Sequence, residues 1–300
     1  MIKFLKFAIP IALFGFLILN ISADWQSVAH NLVNSNIGFL IIAFLTILLI
    51  YPEGALSWYI VLYKMGFKVG LLKAVRVWII SNTGRYIPGK IWQYIGRVEL
   101  SKRELGIGRK EAVFSLLLEI FLVITAAGLV SVLALPVIGV QNFNKGFIIF
   151  LLPAALILLH PKPANFILHL IAKFSKNRIN ISYPLSFSQS LSIFPLYILN
   201  FLINGLALYF LIISLYGDHI DTNFNSIFTF SGFYAFSWAV GFLSFFAPGG
   251  LGVTEITLSY LLSFIMPLSL ASTITILYRF LLAVAEFLIF SISLRLGGKD

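Results

Sequence analysis

Apolar residues in this 300-residue sequence gather into long unbroken stretches instead of alternating with polar ones. A helix needs about 20 mostly apolar residues to cross a hydrocarbon core about 30 Å thick. Six stretches reach or approach that length, at about 4–22, 37–63, 109–136, 146–160, 191–216 and 269–294, the fourth being the shortest. Two more, at about 74–106 and 226–266, are interrupted by Pro88-Gly89 and Pro248-Gly249. Proline removes a backbone donor and ends the helix before it, and glycine permits the reversal that follows. Each interrupted stretch is therefore expected as two half-length helices around a tip. The pattern predicts an all-α polytopic membrane protein forming a single integral membrane domain over 1–300. It has six spanning helices and two Pro-Gly-broken re-entrant helical hairpins.

Composition agrees. Hydrophobic residues make up 60% of the chain and charged ones 11%, against about 45–50% and about 25% in a soluble domain. This excludes a soluble enzyme, a disordered chain and a disulfide scaffold. There is no cysteine, and none of His30, His160, His169 and His219 stands at a metal-site spacing. No metal or cofactor is expected.

The net charge of +10 acquires a meaning once it is mapped onto the spans. With the amino terminus inside, and both broken stretches returning to the side they entered from, 16 of the 21 basic residues are cytoplasmic. Lys145 is the single basic residue outside, and Arg85, Lys90, Arg97 and Arg279 fall within the membrane. This is the positive-inside bias of a protein in the cytoplasmic (inner) membrane with both termini cytoplasmic. The first stretch also has the form of a secretory signal, but on either reading Asp24 emerges outside. A basic cytoplasmic loop covers 161–190. Because the positive charge sets topology and faces anionic lipid, no nucleic-acid partner is expected.

The two broken stretches resemble one another at an offset of 160: Trp78 and Pro88-Gly89 match Trp238 and Pro248-Gly249, and Glu119 falls on Arg279. One stretch enters from the cytoplasm and the other from outside. That is the pattern of an inverted-topology repeat, with repeat 1 at about 37–136 and repeat 2 at about 191–296. Backbone freed at such tips must be buried in protein or line a wet cavity. A half-helix starting there offers its N–H groups to an anion. The first tip adds Asn82, Arg85, Lys90 and Gln93 around Pro88-Gly89. The second is uncharged up to Glu255 and supplies Pro248, Gly249, Gly250 and Gly252. Neither tip is a nucleotide-binding loop.

Ionisable residues within spans are functional candidates by default. They are Glu53, Arg85, Lys90, Arg97, Glu119, Glu255, Arg279 and Glu286, four of each sign. Arg85 and Lys90 flank a tip and are read as head-group ligands, because desolvated cations beside a helix amino terminus call for an anion. Glu53 and Glu286 are read as structural partners, Glu286 lying seven residues after Arg279. Asn200 and Asn204 line a polar path or join helices by hydrogen bonds. The five tryptophans are read as interface anchors or packing. Turns near Gly108 and Pro267 set the register of two buried ion pairs: Arg97 with Glu119, and Glu255 with Arg279. No nucleophile with a spaced histidine is present, and Glu99, Glu104 and Glu111 sit among basic residues. The chain is therefore not expected to be an enzyme.

Pro-Gly-Gly-Leu-Gly-Val-Thr-Glu at 248–255, followed by Arg279 and Gly297-Gly298, resembles the flippase-like membrane family named after the transmembrane region of lysylphosphatidylglycerol synthase. Pro88-Gly89, Arg97, Leu100, Gly106 and Glu119 match the first half of its pattern. The run at 84–92 is similar to a stand-alone subgroup. The bifunctional synthases carry an aminoacyl-transferase domain after the membrane part, and this sequence runs to Asp300 without one. The resemblance thus implies the flippase half and not lysyl transfer.

The expected function is a lipid translocase for a polyprenyl phosphate, a lipid-linked sugar or an aminoacyl phospholipid. The alternatives are a non-transporting scaffold assisting lipid or glycan biosynthesis enzymes, or a membrane-bound transferase. A continuous polar cavity joining Arg85 and Lys90 to Gly249 and Gly250 would favour the translocase.

Overall fold

A computed structural model describes residues 25–87, 91–132, 185–217, 225–244 and 247–295, with single positions at 17, 19, 21, 22, 160, 162 and 165. The regular structure among them is helical. In the first half α1 is Trp25–Val33, α2 Ile37–Lys64, α3 Leu71–Asn82, α4 Trp92–Leu105 and α5 Arg109–Ser131. In the second, α6 is Phe187–Tyr216, α7 Asn225–Leu243, α8 Val253–Leu262 and α9 Leu268–Arg295.

Among the described residues five helices, α2, α5, α6, α7 and α9, are long and apolar enough to cross a membrane. The chain is a multi-pass membrane protein. Four of the five coincide with expected spans. The expected spans at 4–22 and 146–160 fall mostly outside the described residues. The fifth, α7, is a correction. It was expected as a half-length arm, yet its 19 residues reach about 28 Å at about 1.5 Å each. Its partner arm α8 has 10 residues, and α3 and α4 have 12 and 14. These three are too short to span. The stretch after 24, expected as an outside loop, forms the nine-residue helix α1.

Local chemistry sets the boundaries. The Asn36 side chain accepts from the N–H groups of Gly38 and Phe39 and starts α2. Ser186 and Gln189 form a reciprocal capping box that starts α6. Gly106 ends α4 in the left-handed region at φ 69°, and the Ile107 N–H reaches back to the Ser101 carbonyl at 3.2 Å. Ile107 then buries its side chain against Trp58, Leu62 and Ala112. This closes the turn between α4 and α5 where the sequence placed it, near Gly108.

The lipid-facing surface is legible on α2, where Ile41, Leu45 and Leu49, one turn apart, are all more than half exposed. The opposite face of α2 packs on α6, and α7 lies against both α6 and α5. The largest core cluster joins Ile47, Leu208, Phe233, Leu262, Ala271 and Tyr278, drawn from α2, α6, α7, α8 and α9.

Both tips end their first arm by the same device. A residue before proline is pushed out of the helical region. Ile87, before Pro88, is extended at φ −74°, ψ 129°, and Ala247, before Pro248, at φ −97°, ψ 107°. A single 3-10 turn occupies each tip, Thr83–Tyr86 in the first and Pro248–Gly250 in the second. In the first, Gly84 sits so close to the other side of the tip that a Cβ would fall 2.8 Å from the Gln93 backbone nitrogen. In the second, Gly249 and Gly250 adopt φ 57° and 72°, open to glycine at no steric cost. The two 3-10 turns touch one another, bringing together tips that are 160 residues apart in sequence. Pro88, Gly89 and Lys90 lie outside the described residues.

Candidate functional site

The touching tips form part of the wall of one cavity of about 590 Å³. Asn82, Arg85 and Gln93 line it from the first tip, and Gly249, Gly250 and Thr254 from the second. Glu53 on α2, Asn200 and Asn204 on α6 and Tyr278 on α9 also line it. The two expected half-sites thus share one space. Pro248 and Gly252 are not among its lining residues.

Three ion pairs border the cavity, and each has a distinct environment. Arg97 Nη1 donates to Glu119 Oε2 at 2.5 Å, and Arg97 is 4% exposed. Its guanidinium lies over two indoles, 5.4 Å from the Trp58 ring centroid and 5.2 Å from that of Trp78. Arg97 Nε donates to Ser81 Oγ at 3.0 Å, and Trp78 Nε1 donates to Glu119 Oε1 at 2.8 Å. Both carboxylate oxygens and two guanidinium nitrogens are engaged, so this pair reads as a fixed strut joining α3, α4 and α5.

The second pair is looser. Arg279 Nε lies 3.3 Å from Glu255 Oε1, with Arg279 19% and Glu255 3% exposed. Glu255 Oε2 accepts from the Gly252 N–H at 2.6 Å, and Arg279 Nη2 donates to the Gly249 carbonyl at 3.3 Å. An acid at the first turn of a helix also complements the dipole. The amino terminus of α8 is therefore partly occupied by its own side chain, not left free for an anion as the sequence suggested.

The third pair revises two assignments. Glu286 was expected beside Arg279; instead its Oε2 binds Arg85 Nη2 and accepts from the Tyr86 hydroxyl at 2.6 Å. The reason is geometric: the first tip leans against α9, so Arg85 reaches a residue two turns below Arg279. Arg85 consequently has an anion already, which removes the argument that it was strained without one. It keeps spare capacity, however. Its side chain is 28% exposed, and both Arg85 Nε and Glu286 Oε1 are buried without a hydrogen-bond partner.

Glu53 has a different setting. Ser57 Oγ donates to its Oε1 at 2.7 Å, and Asn200 Nδ2 donates to its Oε2. Asn204 Nδ2 in turn donates to the Asn200 carbonyl at 2.8 Å, and the Tyr278 hydroxyl donates to Asn204 Oδ1 at 2.7 Å. The two asparagines thus both line the cavity and join α2 to α6 and α9.

Sequence reasoning missed the polar work of the aromatics. Trp78, Tyr86 and Tyr278 donate to polar groups at or beside the cavity, and Trp58 donates to the buried Ser115 Oγ at 3.2 Å. Trp78 carried a signal, since it belongs to the repeat and stands 41 residues before the acid it binds. Two other described acids lie away from the cavity: Glu99 makes an exposed pair with Arg109, and Glu104 pairs with Arg76. Among the described residues no group of three or more His, Asp and Glu could hold a metal.

The family described as the lysylphosphatidylglycerol synthase TM region matches residues 4–289. The chain belongs to that lipid-related membrane family. No curated protein matches it.

Proposed function

We propose that this family member is a lipid translocase. It moves a lipid bearing a phosphate head group, such as a polyprenyl phosphate, a lipid-linked sugar or an aminoacyl phospholipid, across the cytoplasmic membrane. The observation that carries this reading is the single cavity lined by both tips. The tail stays in lipid while the head group crosses through polar surroundings, so no covalent chemistry is required of the chain.

In this reading the broken segments are re-entrant hairpins of an inverted repeat, with both termini cytoplasmic. The arm from the cytoplasm, α3, is about 18 Å long and the arm from outside, α7, about 28 Å. Together they exceed a core of about 30 Å. The tips therefore overlap in depth within the core and lie side by side, with the cavity beside them.

Arg85 is the head-group ligand the site favours. A phosphate oxygen can take its unoccupied Nε and compete with Glu286 for its Nη2. Bidentate contact with an oxyanion is what a guanidinium is shaped for. A scaffold for lipid or glycan biosynthesis enzymes would need no such cavity. Those enzymes remain natural suppliers of the substrate.

The test is lipid movement in proteoliposomes, read by bleaching of fluorescent lipids accessible from outside. The probes are a polyprenyl phosphate, a phosphatidylglycerol and an uncharged diacylglycerol carrying the same fluorophore. Both phosphate lipids should become fully accessible, and the diacylglycerol should bleach no differently from protein-free vesicles. Arg85→Gln combined with Glu286→Gln removes both charges at once, so no lone buried carboxylate remains. That double variant should fold and lose at least tenfold in phosphate-lipid movement. Bleaching indistinguishable from protein-free vesicles for every probe would favour the scaffold.

A further inference from the structure

Among the described residues the charges around the cavity do not balance. Arg85 is matched by Glu286, Arg97 by Glu119 and Arg279 by Glu255. Glu53 is left over. Among the described residues no cationic nitrogen lies within 4.0 Å of it, and its two oxygens are held by a hydroxyl and an amide. We propose that Glu53 is a proton-binding site of this cavity, taking up a proton as an anionic head group enters and releasing it as the head group leaves.

The argument rests on electrostatics and hydrogen bonding. An ionised carboxylate in a low-dielectric setting needs either a cation or a proton. A phosphate entering the same cavity would meet three arginines already paired and one uncompensated negative charge. Two like charges in such surroundings repel more strongly than they would in water. A proton on Glu53 removes that repulsion. Head group and proton then cross together, and the proton gradient drives the anion. This deepens the translocase reading and rests on it.

The immediate partners suit a group that changes charge. Ser57 can donate to Oε1 of the carboxylate, or turn and accept from a protonated Oε1. Its own proton would then go to the backbone carbonyl of Glu53, four residues earlier, a common arrangement for a helical serine. Asn200 can donate to Oε2 in either state. Neutral partners therefore satisfy both forms, whereas the acids tied to arginines are satisfied only when ionised. The polar chain continues through Asn200 and Asn204 to Tyr278, next in sequence to Arg279. The state of Glu53 is thus in hydrogen-bonded contact with the helix carrying Arg279.

The ionisable groups lining the cavity from the elements around Glu53 can be named. They are Arg85 and Tyr86 from the first tip, Tyr94 and Arg97 from α4, Glu119 from α5, Tyr197 from α6, Tyr234 from α7, Glu255 from α8, and Tyr278 and Arg279 from α9. Tyr51 faces it from α2 itself, and Glu286 acts through Arg85. Every arginine and every other carboxylate in that set is in an ion pair, which leaves Glu53 as the carboxylate there without a cationic partner.

Two readouts test the proposal on the intact protein. Infrared difference spectra of the protein in vesicles, recorded across a pH titration, should show a carboxylic-acid carbonyl band that is absent from Glu53→Gln. In proteoliposomes, movement of the fluorescent polyprenyl phosphate should rise as pH falls, by up to tenfold per unit for one proton per head group. Glu53→Gln, permanently neutral, should lose that pH dependence and run near the acid-side rate of the parent protein. Glu53→Asp keeps an acid withdrawn by one methylene and should retain the band with a shifted midpoint. The proposal is overturned if Glu53→Gln keeps the band, or if it moves lipid with an unchanged pH profile. A Glu53-dependent band in a protein that moves none of the lipids would keep the proton site and remove the translocase.

Discussion

The two broken segments carry the same motif and stabilise it in opposite ways. In the first, Trp78 donates its indole N–H to Glu119, which holds Arg97 over two tryptophan rings. In the second, the position matching Glu119 is Arg279, which cannot accept a hydrogen bond. Trp238 accordingly stacks on Phe242, with ring centroids 5.2 Å apart. Arg279 instead turns its donors to the tip itself, at the Gly249 carbonyl, and to Glu255, which caps Gly252. Exchanging the sign of one residue moves the support from the arm of the hairpin to its tip. The first segment is braced by a buried strut and presents Arg85 to the cavity. The second is braced at its tip and presents glycine backbone.

The largest effect should come from breaking the strut of the first segment. Arg97→Met leaves Glu119 a buried carboxylate without its cation, which costs about 3–5 kcal/mol. It should show as a strongly lowered melting temperature in detergent. Reversing the pair, Arg97→Glu with Glu119→Arg, should not rescue it. A carboxylate would then face two indole rings, and the Trp78 N–H would meet a cation. A rescued melting temperature would show that the indole cage is incidental.

The pair of the second segment should be more forgiving. Arg279→Met also leaves a buried carboxylate, but the Gly252 N–H still holds Glu255, so the loss should fall at the lower end of about 3–5 kcal/mol. The reversal Glu255→Arg with Arg279→Glu should recover part of the loss from either single change, because no indole fixes the polarity there. Equal behaviour of the two reversals would erase the distinction drawn between the segments.

Gly249→Ala sharpens the comparison further. It puts a side chain at φ 57°, a cost of about 1–2 kcal/mol, in the tip that depends on backbone shape. Arg109→Ala should be the smallest change, with no shift in melting temperature, because its pair with Glu99 is exposed.

Much of this was legible in the sequence, for identifiable reasons. Span length and the Pro-Gly breaks follow from helix rise and from proline chemistry, and α2, α5, α6 and α9 lie where hydropathy put them. The pairings of Arg97 with Glu119 and Glu255 with Arg279 could be reckoned from the distance of each residue to its turn, because antiparallel neighbours match depth. What sequence could not supply was the lateral packing of non-sequential elements. Glu286 shares a helix face with Arg279, yet the first tip lies against α9 and takes it for Arg85 and Tyr86. The length of α7 was hidden as well. Phe, Ser and Gly fill 225–243 in a mix that reads as an arm until the backbone shows an unbroken helix.

The central claim is that a lipid head group passes through the cavity beside the two tips. The chain has no cysteine, so Asn82→Cys places a single thiol on the cavity wall beside Arg85. Its modification by a bulky maleimide should stop movement of the fluorescent polyprenyl phosphate, and the same lipid should slow the modification at least several-fold. A fully modified protein that still moves lipid at the unmodified rate, with a thiol that the lipid does not protect, would contradict the account.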